Sequence, residues 1–253
     1  VDYSKETKRY EELSKNDDIH FYLDTDKQQI QRYDASKKIF EDDFEVSQIE
    51  KNGWKGGFAY PKGFQSVHSY TNERQAYVGG QNVEVKDGVL YIHTKKEAKS
   101  APAWDEKKGM IMTDFDYTSD VIYNTQAFEE GTVLQVKARC RGFVNHGIYL
   151  RSEKHVPFIS VFNYTDRAIY CGLKPDLKTD DYKHEVKDLQ PIPFSIYTLV
   201  WGKDEIVWYL NDLEIHRTKN IIPKGEKMYL HLYSFQFKDK FATDGTLEVD
   251  WIR

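Results

Sequence analysis

The sequence predicts an all-β protein built as one antiparallel β-sandwich of two sheets, and three observations support this prediction. Short runs alternate apolar and polar residues with the period of two that half-buried strands show, as in Val89–Thr94, Thr132–Ala138 and Ile206–Leu210. Turn residues such as Asp87 and Gly88 separate neighbouring runs. No long amphipathic helix is indicated after residue 36, and many strands joined by tight turns are typical of a sandwich.

The chain divides into a short arm and one large domain. Its 253 residues suit a single β domain, which we place at residues 37–253. Residues 1–36 differ in composition, being rich in Lys, Glu, Asp and Gln, with helix-compatible stretches around Lys8–Leu13 and Thr25–Tyr33. We therefore expect a polar, partly helical N-terminal arm that lies on the domain.

Composition and charge exclude several classes of function. Aromatic residues make up 15% of the chain, which is enough for a core and for rings that line a groove. The net charge is −5 and the basic residues are scattered, so neither nucleic acid nor an anionic membrane is an expected partner. No apolar run approaches the length of a transmembrane helix. The chain begins at Val1 with neither Met nor a signal peptide, as expected for a mature or trimmed form.

The chain has two cysteines, Cys140 and Cys171, and they show no metal-ligand spacing. A disulfide and two buried free thiols both remain open, so the cysteines do not identify the cellular compartment.

A series of motifs runs in a characteristic order from Phe40 to Arg253. The segments that carry it are Phe40–Phe44 (similar to F-x-D-E-F), Thr71–Tyr77 and Asn82–Ile92 (N-N-E-x-Q-x-Y…N-V-x-V-x-D-G-x-L-x-I), Phe115–Ile122 (F-x-Y-T-S-G-x-I), Tyr197–Asp212 (Y-x-x-x-W…I-x-W-Y-V-D-G) and Leu247–Arg253 (V-D-Y-V-R). Together they resemble family 16 of the glycoside hydrolases, which are concanavalin A-like β-jelly rolls that cleave β-glucans and related polysaccharides. The chain also resembles a divergent branch, seen in Bacteroidetes, whose catalytic strand has lost its paired Glu residues.

The segment His155–Tyr164 matches the family's catalytic strand but lacks its carboxylates. In the family this strand reads roughly G-E-I-D-I-x-E, with a Glu nucleophile first and a Glu acid/base last. The matching positions here are Phe158, Ser160 and Asn163, or Phe162 if the strand has no bulge. A retaining glycosidase needs two carboxyl groups about 5 Å apart, and none of these side chains supplies one. The resemblance therefore assigns no catalytic residue.

The candidate residues for binding a glycan come from three segments. Regular alternation on the degenerate strand would place Phe158 and Phe162 on one face, either as a floor for sugar rings or as an apolar plug. Trp104, in a loop containing Pro, is either an exposed stacking platform or a plug at the edge of the core. The resemblance adds the N-N-E loop and the strand before the degenerate one. The full candidate set is Asn72, Arg74, Trp104, His146, Tyr149, Arg151, Phe158 and Phe162.

The resemblance also implies a structural Ca²⁺ site. Many family members hold this ion with the acid of the first motif, the backbone of the D-G turn glycine and the Asp of the last strand. The corresponding residues are Asp43, Gly88 and Asp250. Carboxylate and carbonyl oxygens are the ligands that Ca²⁺ prefers.

The sequence therefore predicts a monomeric carbohydrate-binding protein whose cleft holds a β-linked polysaccharide or oligosaccharide. We expect it to be secreted, periplasmic or on the cell surface. One alternative is an active hydrolase, or a polysaccharide lyase using His146, Tyr149 and Arg151, with relocated catalytic groups. A scaffold with a closed cleft is the other. An open, ring-lined cleft would favour glycan binding, facing carboxylates would favour hydrolysis, and a filled groove would favour the scaffold.

Overall fold

The protein folds as two antiparallel seven-stranded sheets packed face to face, which confirms the predicted sandwich. The computed structural model describes residues 19–24, 29–34, 38–165, 168–179, 183–186, 194–211 and 213–253, with the backbone alone for 19–34. In this part of the chain no helix is long and apolar enough to cross a membrane.

The sheet that forms the floor of the cleft described below is called the cleft sheet. In spatial order its strands are β16 (His184–Val186), β15 (Ala168–Lys174), β14 (Phe158–Thr165), β13 (Asn145–Ser152), β20 (Met228–Phe235), β11 (Val121–Phe128) and β3 (Trp54–Gly56). The outer sheet packs behind it. Its strands are β19 (Leu213–Lys219), β18 (Glu205–Leu210), β17 (Ser195–Trp201), β12 (Val133–Arg141), β21 (Gly245–Ile252), β7 (Val89–Thr94) and β6 (Val83–Lys86).

Smaller elements flank the sandwich and build one wall of the cleft. A three-stranded sheet contains β4 (Ser69–Tyr70), β8 (Lys99–Asp105) and β9 (Gly109–Phe115). A parallel pair contains β5 (Gln75–Tyr77) and β10 (Tyr117–Ser119), and a short 3-10 helix spans Ile49–Asn52.

The core lies between the two sheets because alternate residues of each strand point inward. On β13 the inward residues include Ile148 and Leu150, both fully buried. The ring of Phe162 on β14 meets that of Tyr197 on β17 with centroids 4.3 Å apart, so the two sheets are in direct contact. Burial of each such side chain contributes roughly 1.5–3 kcal/mol to stability.

Asp120, which stands where the resembling motif has glycine, fixes a turn beside the cleft sheet. Its carboxylate accepts hydrogen bonds from the backbone N–H groups of Gly80 at 2.9 Å and Asn82 at 2.8 Å. Burial raises the pKa of this carboxyl group, and the backbone donors oppose that shift. The side chain therefore ties the turn before β6 to the start of β11.

The expected helix over Thr25–Tyr33 is wrong for the described part of that segment. Ile19–Asp24 and Gln29–Asp34 form strands β1 and β2, which pair in antiparallel register. The first run carries Ile19, Phe21 and Leu23 at alternate positions, as strands do, and each run is too short to sustain an isolated helix. The other predicted helical stretch, Lys8–Leu13, lies outside the described residues.

Both cysteines are buried and free. Burial raises the pKa of the Cys171 thiol to about 12 and that of Cys140 above its ordinary value as well. Both are therefore neutral thiols packed in the core at physiological pH, the second of the two alternatives left open above.

Two fully buried histidines make the fold sensitive to acid. His231 accepts a hydrogen bond from the backbone N–H of Ala59 through Nε2 (3.0 Å), while Nδ1 lies 2.8 Å from the Tyr229 carbonyl oxygen. Burial lowers its pKa to about 3. Burial likewise lowers the pKa of His146 to about 4. Since the unfolded chain binds a proton near pH 6.5, each histidine contributes stability above that pH and loses it as the pH falls toward the folded pKa.

We expect the free energy of unfolding of His231→Gln to depend less on pH than that of the wild type. Between pH 7 and pH 4.5 the difference between the two proteins should change by about 2 kcal/mol. Denaturant unfolding measures it, with His146→Gln as a second variant. Glu73, whose pKa is raised by burial, affects the pH dependence of stability in the opposite direction. Because all three proteins contain Glu73, this contribution cancels when they are compared. Parallel pH profiles for all three proteins would contradict the prediction.

Candidate functional site

Strand β13 decides which side chains reach the floor of the cleft. Along it, His146, Ile148 and Leu150 are buried, and the latter two belong to the core. Tyr149 and Arg151, with the opposite parity, line the cleft. A side chain at Gly147 would collide with the Tyr149 ring, since a Cβ there would stand 2.1 Å from Cε2. Glycine at this position thus allows the tyrosine to lie flat along the sheet.

A bulge in β14 changes which of its residues face the cleft. Ser160 pairs with Tyr149 of β13 whereas Phe162 pairs with Ile148, so Val161 is an extra residue on β14. After the bulge the parity is reversed. Phe158 and Asn163 line the cleft, while Phe162 joins the core. Asn163 therefore faces the cleft and Phe162 does not, because the strand has a bulge.

The cleft has a volume of about 630 Å³ and is open to solvent. Aromatic rings dominate its lining: Phe58, Tyr70, Tyr77, Trp104, Tyr149, Phe158, Tyr233, Phe235 and Phe237. The Tyr149 ring stacks on that of Tyr233 with centroids 5.1 Å apart and meets Phe158 edge-on at 5.4 Å. Such ring pairs hold one another rigidly, which leaves a preformed apolar surface.

The wall of the cleft comes from the β8–β9 turn and the loop before β5. Trp104 lies there, 44% exposed and lining the cleft. The Asp105 carboxylate accepts hydrogen bonds from the backbone N–H groups of Lys107 and Lys108, both at 2.9 Å. These two hydrogen bonds lower the pKa of Asp105. Thr71 Oγ1 reaches the same carboxylate at 3.4 Å, so the turn and the loop are joined.

Glu73 is the buried acid of the cleft. Its Oε2 accepts the backbone N–H of Tyr70 at 2.8 Å, and its Oε1 lies 3.5 Å from the Tyr77 hydroxyl. Burial raises the pKa of this carboxyl group to about 8. At neutral pH the group is therefore mostly protonated, and both of its oxygens are engaged with its own loop.

Arg151 and His155 form a hydrogen-bonded pair in the cleft. Both line the cleft, and one guanidinium nitrogen of Arg151 donates to His155 Nδ1. Burial, followed by the charge of Arg151, lowers the pKa of His155 to about 3. His155 is therefore neutral and acts as an acceptor for the arginine.

Five of the predicted glycan-binding residues come together in this cleft: Asn72, Trp104, Tyr149, Arg151 and Phe158. The other three lie elsewhere. Phe162 packs in the core because of the bulge. His146 points inward, with Nδ1 2.7 Å from Ser234 Oγ and Nε2 3.2 Å from the Arg141 carbonyl oxygen. Arg74 turns away to pair with Asp116 and donates to the Lys240 carbonyl oxygen at 2.9 Å.

Sequence reasoning missed the rings of β20 and of the loop after β3. Tyr233 and Phe235 alternate with Leu230 and Leu232 in period two, a signal that identifies a second aromatic face. Phe58 has no such local pattern, since it reaches the cleft from a loop.

The predicted calcium ligands are only partly assembled. The Asp43 carbonyl oxygen lies 3.9 Å from where a Cβ on Gly88 would stand, with a Glu45 carboxylate oxygen at 3.7 Å. The Asp250 carboxylate instead pairs with Lys137 Nζ at 2.7 Å. In the described ranges no group of three or more His, Cys, Asp or Glu side chains is placed to hold a metal ion. The three residues therefore fit Ca²⁺ only if the metal displaces the lysine.

Solved structures of two glucanases and a carrageenase have a similar fold. The endo-β-1,3-glucanase from Pyrococcus furiosus matches with a TM-score of 0.68 and 17% identity, covering 93% of this chain and 97% of its own. SCLam, a non-specific endo-β-1,3(4)-glucanase from family GH16, matches at 0.66 and 19%, covering 85% and 89%. The κ-carrageenase from Pseudoalteromonas carrageenovora, in complex with a κ-carrageenan oligosaccharide, matches at 0.64 and 16%, covering 93% and 94%.

No protein-family profile matches the sequence, and no curated protein matches it either. At these identities the likeness of the solved structures concerns the fold. The chain thus has the β-jelly-roll fold of family 16 glycoside hydrolases, and the resemblance predicted from its motifs is confirmed.

Proposed function

We propose that the protein binds a β-linked polysaccharide or oligosaccharide in the cleft and does not hydrolyse it by the retaining mechanism. The observation that supports this proposal is the lining of the cleft, which is open to solvent and rich in aromatic rings. Proteins of the same fold act on β-glucans and on carrageenan. Because such polymers are met outside cells, we also propose a secreted or cell-surface location and a monomeric binding unit.

The rings suit the apolar faces of pyranose sugars. The axial C–H bonds of a β-linked glucose or galactose unit form a flat apolar surface that packs on an aromatic ring. Phe158 on the floor and Trp104 on the wall offer two such rings, and Trp104 retains substantial exposure. A sugar chain between them would bury apolar area on both sides, at roughly 25 cal/mol for each Å².

The loss of hydrolysis follows from the side chains of β14. Covalent attack and protonation of the leaving oxygen each require a carboxyl group, and the two groups must stand about 5 Å apart. The sequence resemblance matches these two positions to a strand that has Phe158, Ser160 and Asn163, none of which carries a carboxyl group. Phe has no ionisable group, and neither Ser nor Asn is a proton donor with a suitable pKa.

A hydrolase with relocated carboxyl groups is the second candidate, and one observation favours it. Glu73, with its raised pKa, and Asp105, with its lowered pKa, line the same cleft. Environments that separate two carboxyl pKa values are typical of an acid and base pair. Against this candidate, Glu73 is tied by Tyr70 and Tyr77 to its own loop, and Asp105 caps the β8–β9 turn.

The burial and the pKa values of the candidate bases disfavour a lyase. Proton abstraction beside a uronate needs a base whose pKa is near the working pH. His146 points into the core, and the pKa of His155 is lowered to about 3. Burial raises the pKa of Tyr60 and Tyr77, which makes their phenolates harder to form.

We expect no release of reducing sugar from laminarin, lichenan, agarose or carrageenan by the purified protein. Activity should equal that of Glu73→Gln and Asp105→Asn, measured by a reducing-end assay at pH 5 to 8. Release by the wild type that either substitution abolishes would instead support the relocated pair.

We expect Phe158→Ala and Trp104→Ala each to weaken oligosaccharide binding about tenfold, which corresponds to about 1.4 kcal/mol. Each substitution removes one stacking surface. Calorimetry with β-1,3- and β-1,4-linked oligosaccharides measures the affinity. Phe64→Ala is the matched control, because Phe64 is 71% exposed and does not line the cleft. Equal affinity in all four proteins would place binding elsewhere.

Calcium binding remains a proposal, and it requires competition with Lys137. We expect millimolar Ca²⁺ to raise the melting temperature, because a ligand at a hundredfold excess over Kd adds about 2.7 kcal/mol. Asp250→Asn should remove the effect, and Lys137→Met should enlarge it. Melting temperatures that do not respond to Ca²⁺ or chelator, in the wild type and in Lys137→Met, would contradict the site.

A further inference from the structure

Arg151 carries a buried positive charge at the floor of the cleft. It lies near the end of β13, opposite Phe158 on β14, and is only 6% exposed. The guanidinium carbon stands 4.7 Å from the centre of the Phe58 ring and 5.8 Å from that of Tyr60. The cation is therefore held against rings in a largely dry environment that nevertheless opens into the cleft.

No carboxylate neutralises this cation in the described part of the chain. Its guanidinium donates to the Tyr60 hydroxyl at 3.4 Å and to His155 Nδ1, and it also interacts with the Tyr70 side chain; none of these partners is a carboxylate. None of the described acidic side chains lies within 4 Å of the guanidinium. Leaving a buried charge unpaired is expensive, typically several kcal/mol.

The titratable groups around Arg151 do not supply the missing negative charge. Glu73, the buried carboxyl group of the cleft, has its pKa raised to about 8 by burial and is mostly protonated at neutral pH. The pKa values of His68 and His155 are both lowered, chiefly by burial, so both rings are neutral. Lys183 lines the same cleft and adds a second positive charge. The carboxylates of Asp105 and Glu106 lie in the β8–β9 turn.

We propose that Arg151 forms an anion subsite, which recognises a carboxylate or sulfate substituent on the bound glycan. A guanidinium presents paired N–H donors in a planar fork, which matches the oxygens of either group in a two-pronged bond. The stacking rings of Phe158 and Tyr149 stand beside it, so one sugar ring can contact both the aromatic floor and the cation. The ligand class is an acidic β-linked oligosaccharide. This inference rests on the proposed function, since it assumes that the cleft holds a glycan.

Matched pairs of oligosaccharides test the subsite. The first pair is β-1,4-linked tetramannuronate and β-1,4-mannotetraose. In each sugar unit C6 is a carboxylate in the first compound and a hydroxymethyl group in the second. The second pair is a κ-carrageenan tetrasaccharide and its desulfated form. Calorimetry should show at least one acidic member binding ten or more times more tightly than its neutral partner, with a preference that weakens between 50 and 500 mM salt. The pair that shows the preference identifies carboxylate or sulfate.

Variants then assign the preference to Arg151. Arg151→Gln should bring the two members of the pair within about twofold of each other, because the acidic member loses more affinity than the neutral one. Arg151→Lys should keep part of the preference, because the charge remains and the fork is lost. Lys107→Ala is the matched control, because it removes a different cation that lines the cleft. This variant should retain the preference for the acidic oligosaccharide.

The outcomes separate this inference from the proposed function. Equal binding of acidic and neutral members by the wild type overturns the anion subsite and leaves glycan binding intact. A preference that persists in a folded Arg151→Gln protein also overturns it. Should neither member of either pair bind, both proposals fail. If Arg151→Gln does not fold, the wild-type preference and its salt dependence decide the question.

Discussion

The single extra residue in β14 is the constraint on which the site depends. Val161 reverses the parity of the strand, so Phe162 enters the core against Tyr197 and Asn163 turns toward the cleft. The bulge is fixed from behind, because Trp208 Nε1 donates to the Ser160 carbonyl oxygen at 2.8 Å across the sandwich. A regular strand would place Phe162 in the cleft and a polar side chain in the core. The arrangement of the cleft is therefore inherited from core packing.

The aromatic lining of the cleft sets the electrostatics of the site. Tyr149, Phe158 and Tyr233 pack against one another there. Such a surface excludes water, which raises the cost of ionising any carboxyl group beside it. The raised pKa of Glu73 and the lowered pKa of His155 are both consequences of this dryness. The same dryness strengthens any interaction between Arg151 and an anion.

Local patterns and the family resemblance predicted the sandwich and five residues that line the cleft, and the failures have identifiable causes. His146 shares the parity of Ile148 and Leu150, so alternation alone would have placed it in the core; its polarity was misleading. Arg74 pairs with Asp116, 42 positions away, and no local pattern reports such a contact. The helix expected over Thr25–Tyr33 was inferred from polar composition, whereas Gln29–Asp34 forms a strand that pairs with Ile19–Asp24. Polar composition alone does not separate a helix from a strand in so short a segment.

A largely neutral Glu73 and a charged Arg151 line the same cleft and give it a definite polarity. The charge of Arg151 lowers the Glu73 pKa, but the effect of burial is larger and leaves the carboxyl group mostly protonated at neutral pH. If Glu73 were ionised, it would compete with an anionic ligand for Arg151 through the low-dielectric interior. Because it stays protonated, the cation remains available and the carboxyl group presents a hydrogen-bond donor instead of a negative charge. A cleft arranged in this way is poorly suited to stabilising the positive charge that develops during glycoside hydrolysis, and well suited to holding an acidic sugar.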